Sequence, residues 1–296
     1  DFPLYSRADR DYLLRDLQNL KRLLSIYQSY PAEISPIFNE LRKLKNISAV
    51  LKKLQNKSIL DTVDLYLIKY HSIISYQIHQ IKNRMQLQLE GFDLPDLENI
   101  RSLLDPENNR LPKFSIYDSY SETLTQIRTQ KRDLEHQIYM ATDPEKKDQL
   151  IQKRREFVSK ENHEEMIIRS QLSSSLEKHL SSLKSSIDYI GELDWTLAKI
   201  QVGMKYHATV PIFTNTSSVQ LEAIINPHIM KSLETLNSTF TPLSLTLNEG
   251  VTVITGPNMG GKTVLLKTIL LNVLLAQMGF MVFAKRIKMG IFDYFA

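Results

Sequence analysis

The chain has 296 residues, 42% hydrophobic and 24% charged, the profile of a soluble globular protein long enough for two or more domains. The absence of cysteine excludes disulfides, thiol nucleophiles and cysteine-bound zinc. With 37 basic and 33 acidic residues the net charge is +4, which permits an anionic partner and falls well short of a nucleic-acid-saturating excess.

The sequence opens Asp1-Phe2-Pro3-Leu4-Tyr5, with neither an initiator methionine nor an apolar signal segment, so a cytoplasmic location and a numbering that begins inside a longer protein are expected. From Arg10 to Gly203 there are only three glycines, and apolar residues recur at helical spacing, as in Leu67, Tyr70, Ile74, Ile78, Ile81, Met85 and Leu89. Ser119 to Ala141 carries Leu124, Ile127, Leu134 and Ile138 in a three-four alternation with Lys131 between, a seam for another helix. Asp143-Pro144 ends it, because proline clashes with the preceding helical turn.

A long partner is expected from Glu145 to about Leu197, with Leu172, Leu176, His179, Leu183, Ser186, Ile190, Leu193 and Leu197 in heptad register. The pair reads as an antiparallel hairpin whose outgoing arm spans roughly 35 Å at about 1.5 Å per residue. His179, with no second histidine at metal-ligand spacing, reads as a packed seam residue. After Tyr206 the pattern changes to β-branched runs, Val219–Ile225, Leu243–Leu247 and Val251–Thr255. The most apolar stretch, Val264 to Ala284, is interrupted by Lys267, Asn272 and Gln277, costly in a bilayer, so it predicts a buried helix followed by a strand and no membrane partner.

The expected fold is an α-helical core (1–118), a long antiparallel helical lever hairpin (119–203) and the start of a P-loop α/β nucleotide domain (204–296). The chemistry lies in Gly256-Pro257-Asn258-Met259-Gly260-Gly261-Lys262-Thr263, which is Gly-x4-Gly-Lys-Thr after an apolar run expected to be a buried parallel strand. Glycines let consecutive N–H groups turn toward phosphate oxygens. The helix opening near Gly261 adds its positive dipole end. Lys262 reaches the β- and γ-phosphates as a point charge, and the Thr263 hydroxyl ligates magnesium bridging the same oxygens. The following helix, Thr263 to Met278, is apolar nearly all round, as for burial against a sheet, and Gly279 caps its end.

Thr255 to Thr263, with its Pro-Asn-Met-Gly insert, closely resembles the phosphate loop of the MutS mismatch-repair ATPases. Glu192-Leu193-Asp194 resembles the family's Glu-Leu-Asp near the end of its returning lever helix, and the order of core, lever and nucleotide domain agrees. The resemblance implies ATP and Mg2+ as cofactors, a homodimer in the full-length form, and ATPase activity there, with Phe240 as the residue stacking on adenine; the alternative for Phe240 is a buried strand-edge phenylalanine. The family's upstream His-Pro pair is here Asn226-Pro227-His228.

No Walker B carboxylates follow Thr263, so no catalytic residue is assigned; the chain is expected to be truncated and to hydrolyse ATP poorly by itself. Phe38-Asn39-Glu40 matches the letters of the family's mismatch-reading motif but sits at an expected helix start. No β-rich clamp interrupts the lever hairpin. Its tip carries Lys146, Lys147, Lys153, Arg154 and Arg155, which can touch DNA phosphates; among Glu145, Asp148, Glu156, Glu161, Glu164 and Glu165 they also fit a solvated helix face. Two functions stay open: an ATP-driven conformational switch on DNA, of the repair or recombination kind, and a MutS-like ATPase that reactivates a protein client.

Overall fold

Glycine-poor, apolar-periodic sequence forms helix over most of the chain in the computed structural model, which describes residues 4–109, 111, 113–257 and 260–295. The helices are α1 (Arg10–Ser29), α2 (Pro31–Leu41), α3 (Ser48–Gln55), α4 (Thr62–Met85), α5 (Glu98–Leu104), α6 (Glu122–Met140), α7 (Pro144–Glu177), α8 (Leu180–Lys205), α9 (Pro227–Glu234) and α10 (Lys262–Gln277). The strands are β1 (Ile212–Phe213), β2 (Val219–Ile224), β3 (Leu243–Leu247) and β4 (Arg286–Met289). Among the described residues no helix is long and apolar enough to cross a membrane. The chain groups into two compact units, one of Asp1–Ile34, Met85–Phe92 and Gly191–Ala296, the other of Ser35–Arg84 and Asp93–Ile190.

The second of these units is helical, and Leu60, Leu65, Ile68, Leu104, Leu124, Leu172, Leu176 and Leu183 lie in its core. Ser121 and Asp143 accept the backbone N–H of Leu124 and Glu145 at the starts of α6 and α7, and Pro144 occupies the first turn of α7, where no N–H is needed. The two helices run antiparallel, as their cross-links show. Ser121 pairs with Glu164, Arg128 and Lys131 with Glu161, and Glu135 with Arg154. The expected single return helix is instead broken at Lys178-His179: the His179 N–H bonds the Leu176 carbonyl at 2.9 Å, an i→i−3 closure that tightens the end of α7. The seam still holds, because Leu172, Leu176, Leu183, Ser186 and Ile190 are buried while His179 is half-buried. Ser186 fits an apolar seam because its hydroxyl lies 3.0 Å from His71 Nε2 and 3.0 Å from the Ser75 hydroxyl.

The other unit carries the sheet, in the order β1-β4-β2-β3. β1 runs parallel to β4, and β2 is antiparallel to both β4 and β3. Val219 and Leu221 alternate with exposed Gln220 and pack on Ile269, Val273 and Ala276 of α10. The runs expected at Val219–Ile225 and Leu243–Leu247 are β2 and β3. Val251–Thr255 is a correction: it forms no strand and pairs with no described strand, and Val251 and Val253 are 93% and 76% exposed. A strand buried on both faces needs partners along its edges and cover on each side, and nothing described supplies either.

Candidate functional site

The glycine segment lies directly before α10, and Asn258 and Met259 fall outside the described residues. The Gly260 N–H bonds the Pro257 carbonyl at 3.1 Å. Gly261 then takes the left-handed conformation, φ +83°, that only a residue without Cβ adopts freely, and its carbonyl accepts the Leu265 N–H at 2.9 Å to start α10. Lys262 is therefore the first residue of the helix and Thr263 the second. The Lys262 ammonium turns back over the loop and donates to the Gly256 and Pro257 carbonyls at 2.7 and 2.6 Å. It has no carboxylate partner among the described residues. Gly256, Pro257, Gly260, Gly261 and Thr263 are solvent-exposed, and the first N–H groups of α10 have no intrahelical acceptor.

α10 is held by two of the residues that interrupt its apolar run. Asn272 is fully buried; its amide donates to the Ile225 carbonyl at 3.0 Å and its Oδ1 accepts the Phe283 N–H at 2.8 Å. Gln277, also fully buried, donates to the Tyr5 and Phe292 carbonyls and accepts the Phe292 N–H at 3.0 Å. Sequence reasoning used these amides only against a membrane span. Two amides inside an otherwise apolar helix were the signal that they clamp neighbouring backbone. The helix is not covered all round, since Leu266 and Leu270 stay 54% and 47% exposed. Gly279 ends it at φ +71°.

The remaining expected site residues are scattered. Phe240 is half-buried in coil before β3, with no aromatic neighbour among the described residues. Asn226 caps α9 by accepting the Ile229 N–H, Pro227 follows in the first turn, and His228 is exposed. Phe38-Asn39-Glu40 lies inside α2. Glu192 lies half-buried in α8, where burial, with Asp16 beside it, holds its carboxyl above the usual range; burial pushes the Lys199 ammonium down.

Of the five cations at the hairpin tip, Lys146, Lys147, Lys153 and Arg155 are exposed without an ion-pair partner among the described residues. Arg154 instead bonds Glu135 through both Nε and Nη2, at 2.8 and 2.7 Å. The acids interleaved with them divide likewise: Glu161, Glu164 and Glu165 are engaged by α6 or its cap, whereas Glu145, Asp148 and Glu156 face solvent.

A family model described as MutS domain V matches residues 252–296. The chain is 24% identical over 272 residues to the Endonuclease MutS2 of Leuconostoc mesenteroides, covering 90% of this chain and 33% of that protein. It is 36% identical over 127 residues to the Endonuclease MutS2 of Halalkalibacterium halodurans, covering 42% and 15% respectively. With the Leuconostoc citreum protein of the same name it shares 26% identity over 208 residues, 70% of this chain and 25% of that one. The chain thus spans about a third or less of the length of these relatives.

Proposed function

The chain is a MutS-family protein, and we propose that it binds ATP with magnesium through Gly256, Pro257, Asn258, Met259, Gly260, Gly261, Lys262 and Thr263. The observation that carries this reading is the placement of the Lys262 ammonium, held only by the Gly256 and Pro257 carbonyls and by no carboxylate among the described residues, at the N-terminus of a 16-residue helix. A phosphate group entering there meets unshared N–H groups, the positive end of the helix and a lysine whose present acceptors are neutral carbonyls. Lys262 exchanges those carbonyls for charged oxygens, a stronger acceptor. The exposed Thr263 hydroxyl is proposed as the protein ligand of the magnesium that accompanies the nucleotide. When bound, ATP supplies the γ-phosphate whose presence or absence separates two conformations. Phe240 is proposed as the stacking partner of adenine.

The intact protein is proposed to act as a homodimeric, ATP-driven switch on DNA, with α6 and α7 as its lever. The relatives' printed name, that of an endonuclease, supports nucleic acid as the partner. The short α6–α7 connection, with no β-rich insert, favours contact with phosphates over reading of bases, and it is also the observation on which the second reading, a protein client, rests. Calorimetric titration of this chain with ATP and Mg2+ tests the site. Lys262→Ala is expected to weaken binding by about tenfold or more, the loss of hydrogen bonds from a charged donor. Unchanged affinity would remove the assignment.

A further inference from the structure

A second cationic site lies in the sheet-bearing unit, away from the glycine segment in sequence. The 3-10 turn Arg7–Asp9 runs directly into α1, and the Arg10 N–H bonds the Arg7 carbonyl. At that spacing successive turns eclipse, so the two guanidinium stems rise from the same face. They line a cavity of about 340 Å3 together with Thr214, Thr216, Ser217 and Gly290.

The opposite wall is fixed by backbone. The Thr214 N–H bonds the Met289 carbonyl at 2.8 Å, and a Cβ at Gly290 would come within 2.3 Å of the Thr216 carbonyl, so only glycine lets the loop after β1 close on the end of β4. The Thr214 and Thr216 hydroxyls lie 2.9 Å apart; the Thr214 hydroxyl also donates to the Met289 carbonyl at 3.4 Å and the Thr216 hydroxyl lies 3.2 Å from that of Ser218, long contacts that a charged phosphate oxygen, the stronger acceptor, can replace.

The arginines differ. Arg7 is anchored: its N–H donates to Asp293 at 2.9 Å and its Nε to the Ile291 carbonyl at 3.1 Å, with Asp293 Oδ2 at 3.3 Å. Its Nη1 and Nη2 have no partner among the described residues. Arg10 has none at all among them, although it is half-buried, and the nearest acid in sequence, Asp9, is engaged by Ser6. Asp11, in the first turn of α1, is exposed.

We propose that this cavity binds a phosphate dianion, either free or as the terminal group of a small phosphomonoester, with Arg10 as its principal ligand and Arg7 and the Thr214, Thr216 and Ser217 hydroxyls completing the donor set. Two guanidinium forks present paired N–H donors at the spacing of phosphate oxygens, and hydroxyls supply the remaining directions of a tetrahedral acceptor. A volume of about 340 Å3 is at the small end of ligand pockets and suits a monoester.

The test uses the whole chain carrying Lys262→Ala, so that nucleotide binding at the glycine segment neither produces nor hides the signal. Inorganic phosphate and glycerol phosphate are titrated separately, with calorimetry and amide chemical shifts as readouts. Saturable binding that moves the Thr214–Ser217 amides is expected for at least one of them, and the tighter of the two identifies the source. Since the Arg10 guanidinium has no polar partner among the described residues and Gln keeps much of its stem, Arg10→Gln should leave thermal unfolding unchanged and weaken binding about tenfold or more. Arg10→Lys, which keeps the charge and loses the fork, should fall between. No saturable shift in this loop with either probe, or affinity unaltered by Arg10→Gln, would overturn the proposal.

Discussion

His71 sits in α4 with only Ser186 within hydrogen-bonding reach of its Nε2, and burial pushes its pKa from the ordinary 6.5 down to about 4. The neutral ring is therefore the folded form, while the unfolded chain takes up a proton near pH 6.5. A depressed histidine pKa contributes stability that is present above pH 6.5 and lost as pH falls toward about 4, on the order of 3 kcal/mol for this shift. His71→Gln, neutral at every pH, should be destabilised near pH 7 and show a smaller loss between pH 7 and pH 4.5 in urea unfolding. An identical pH slope in the variant and the parent would show that another group controls acid unfolding. The helical position of this residue was legible and its burial was not, because Leu67 and Tyr70 of the apolar stripe lie to one side of the more deeply buried line Leu65, Ile68, Ser72 and Ser75. Lys69 is the extreme case. It is fully buried, with Asp105 at 3.0 Å and the Tyr117 hydroxyl at 2.9 Å, and its partners come from outside its helix. A buried ion pair is legible only once both members are placed.

Among the elements, those with a complete local signal were readable and those completed from elsewhere were not. Ser121, Asp143 and Pro144 mark the ends of α6 and α7 in the sequence itself, and β2 and β3 follow their β-branched runs. Val251–Thr255 has the same composition and forms no strand, since pairing is a property of two segments and composition belongs to one. The break at Lys178-His179 likewise leaves the heptad uninterrupted, so periodicity passes over it. The α6–α7 seam is fastened chiefly by Arg128, whose guanidinium bonds Asp118, Glu161 Oε1 at 2.9 Å, Glu165 Oε1 at 2.7 Å and the Ile116 carbonyl at 2.9 Å. Arg128→Met keeps the apolar stem and removes these donors. Because Glu161 remains paired with Lys131, the expected cost is about 1–3 kcal/mol, the range for charged hydrogen bonds in a partly shielded setting. Chemical denaturation should report it. A variant as stable as the parent would mean that the apolar seam alone holds the two helices.

At the scale of the whole molecule, the sheet-bearing unit gathers segments from both ends of the chain: the Tyr5 N–H and carbonyl both meet Gln277, and Arg7 meets Asp293. Closures of that length have no local pattern, so the candidate phosphate loop could be read from its letters while the arginine-lined cavity could not. The hairpin tip offers the sharpest test of the partner. Of its five cations Arg154 is already committed to Glu135, which leaves Lys146, Lys147, Lys153 and Arg155 free to meet phosphates. If DNA is the partner, each phosphate contact releases counterions and adds about 0.9 to the slope of log affinity against log salt, so replacing the four free cations with glutamine should flatten the slope by up to about 3.6. Arg154→Gln alone should change it far less. The loss should be the same for matched and mismatched duplexes, because no base-reading element accompanies these side chains. Fluorescence anisotropy across a salt series separates the outcomes. A several-fold preference for mismatched duplex would show a reading element elsewhere in the chain, and a slope untouched by the quadruple change would move the DNA surface off the hairpin tip. Undetectable binding even at low salt would favour the protein client.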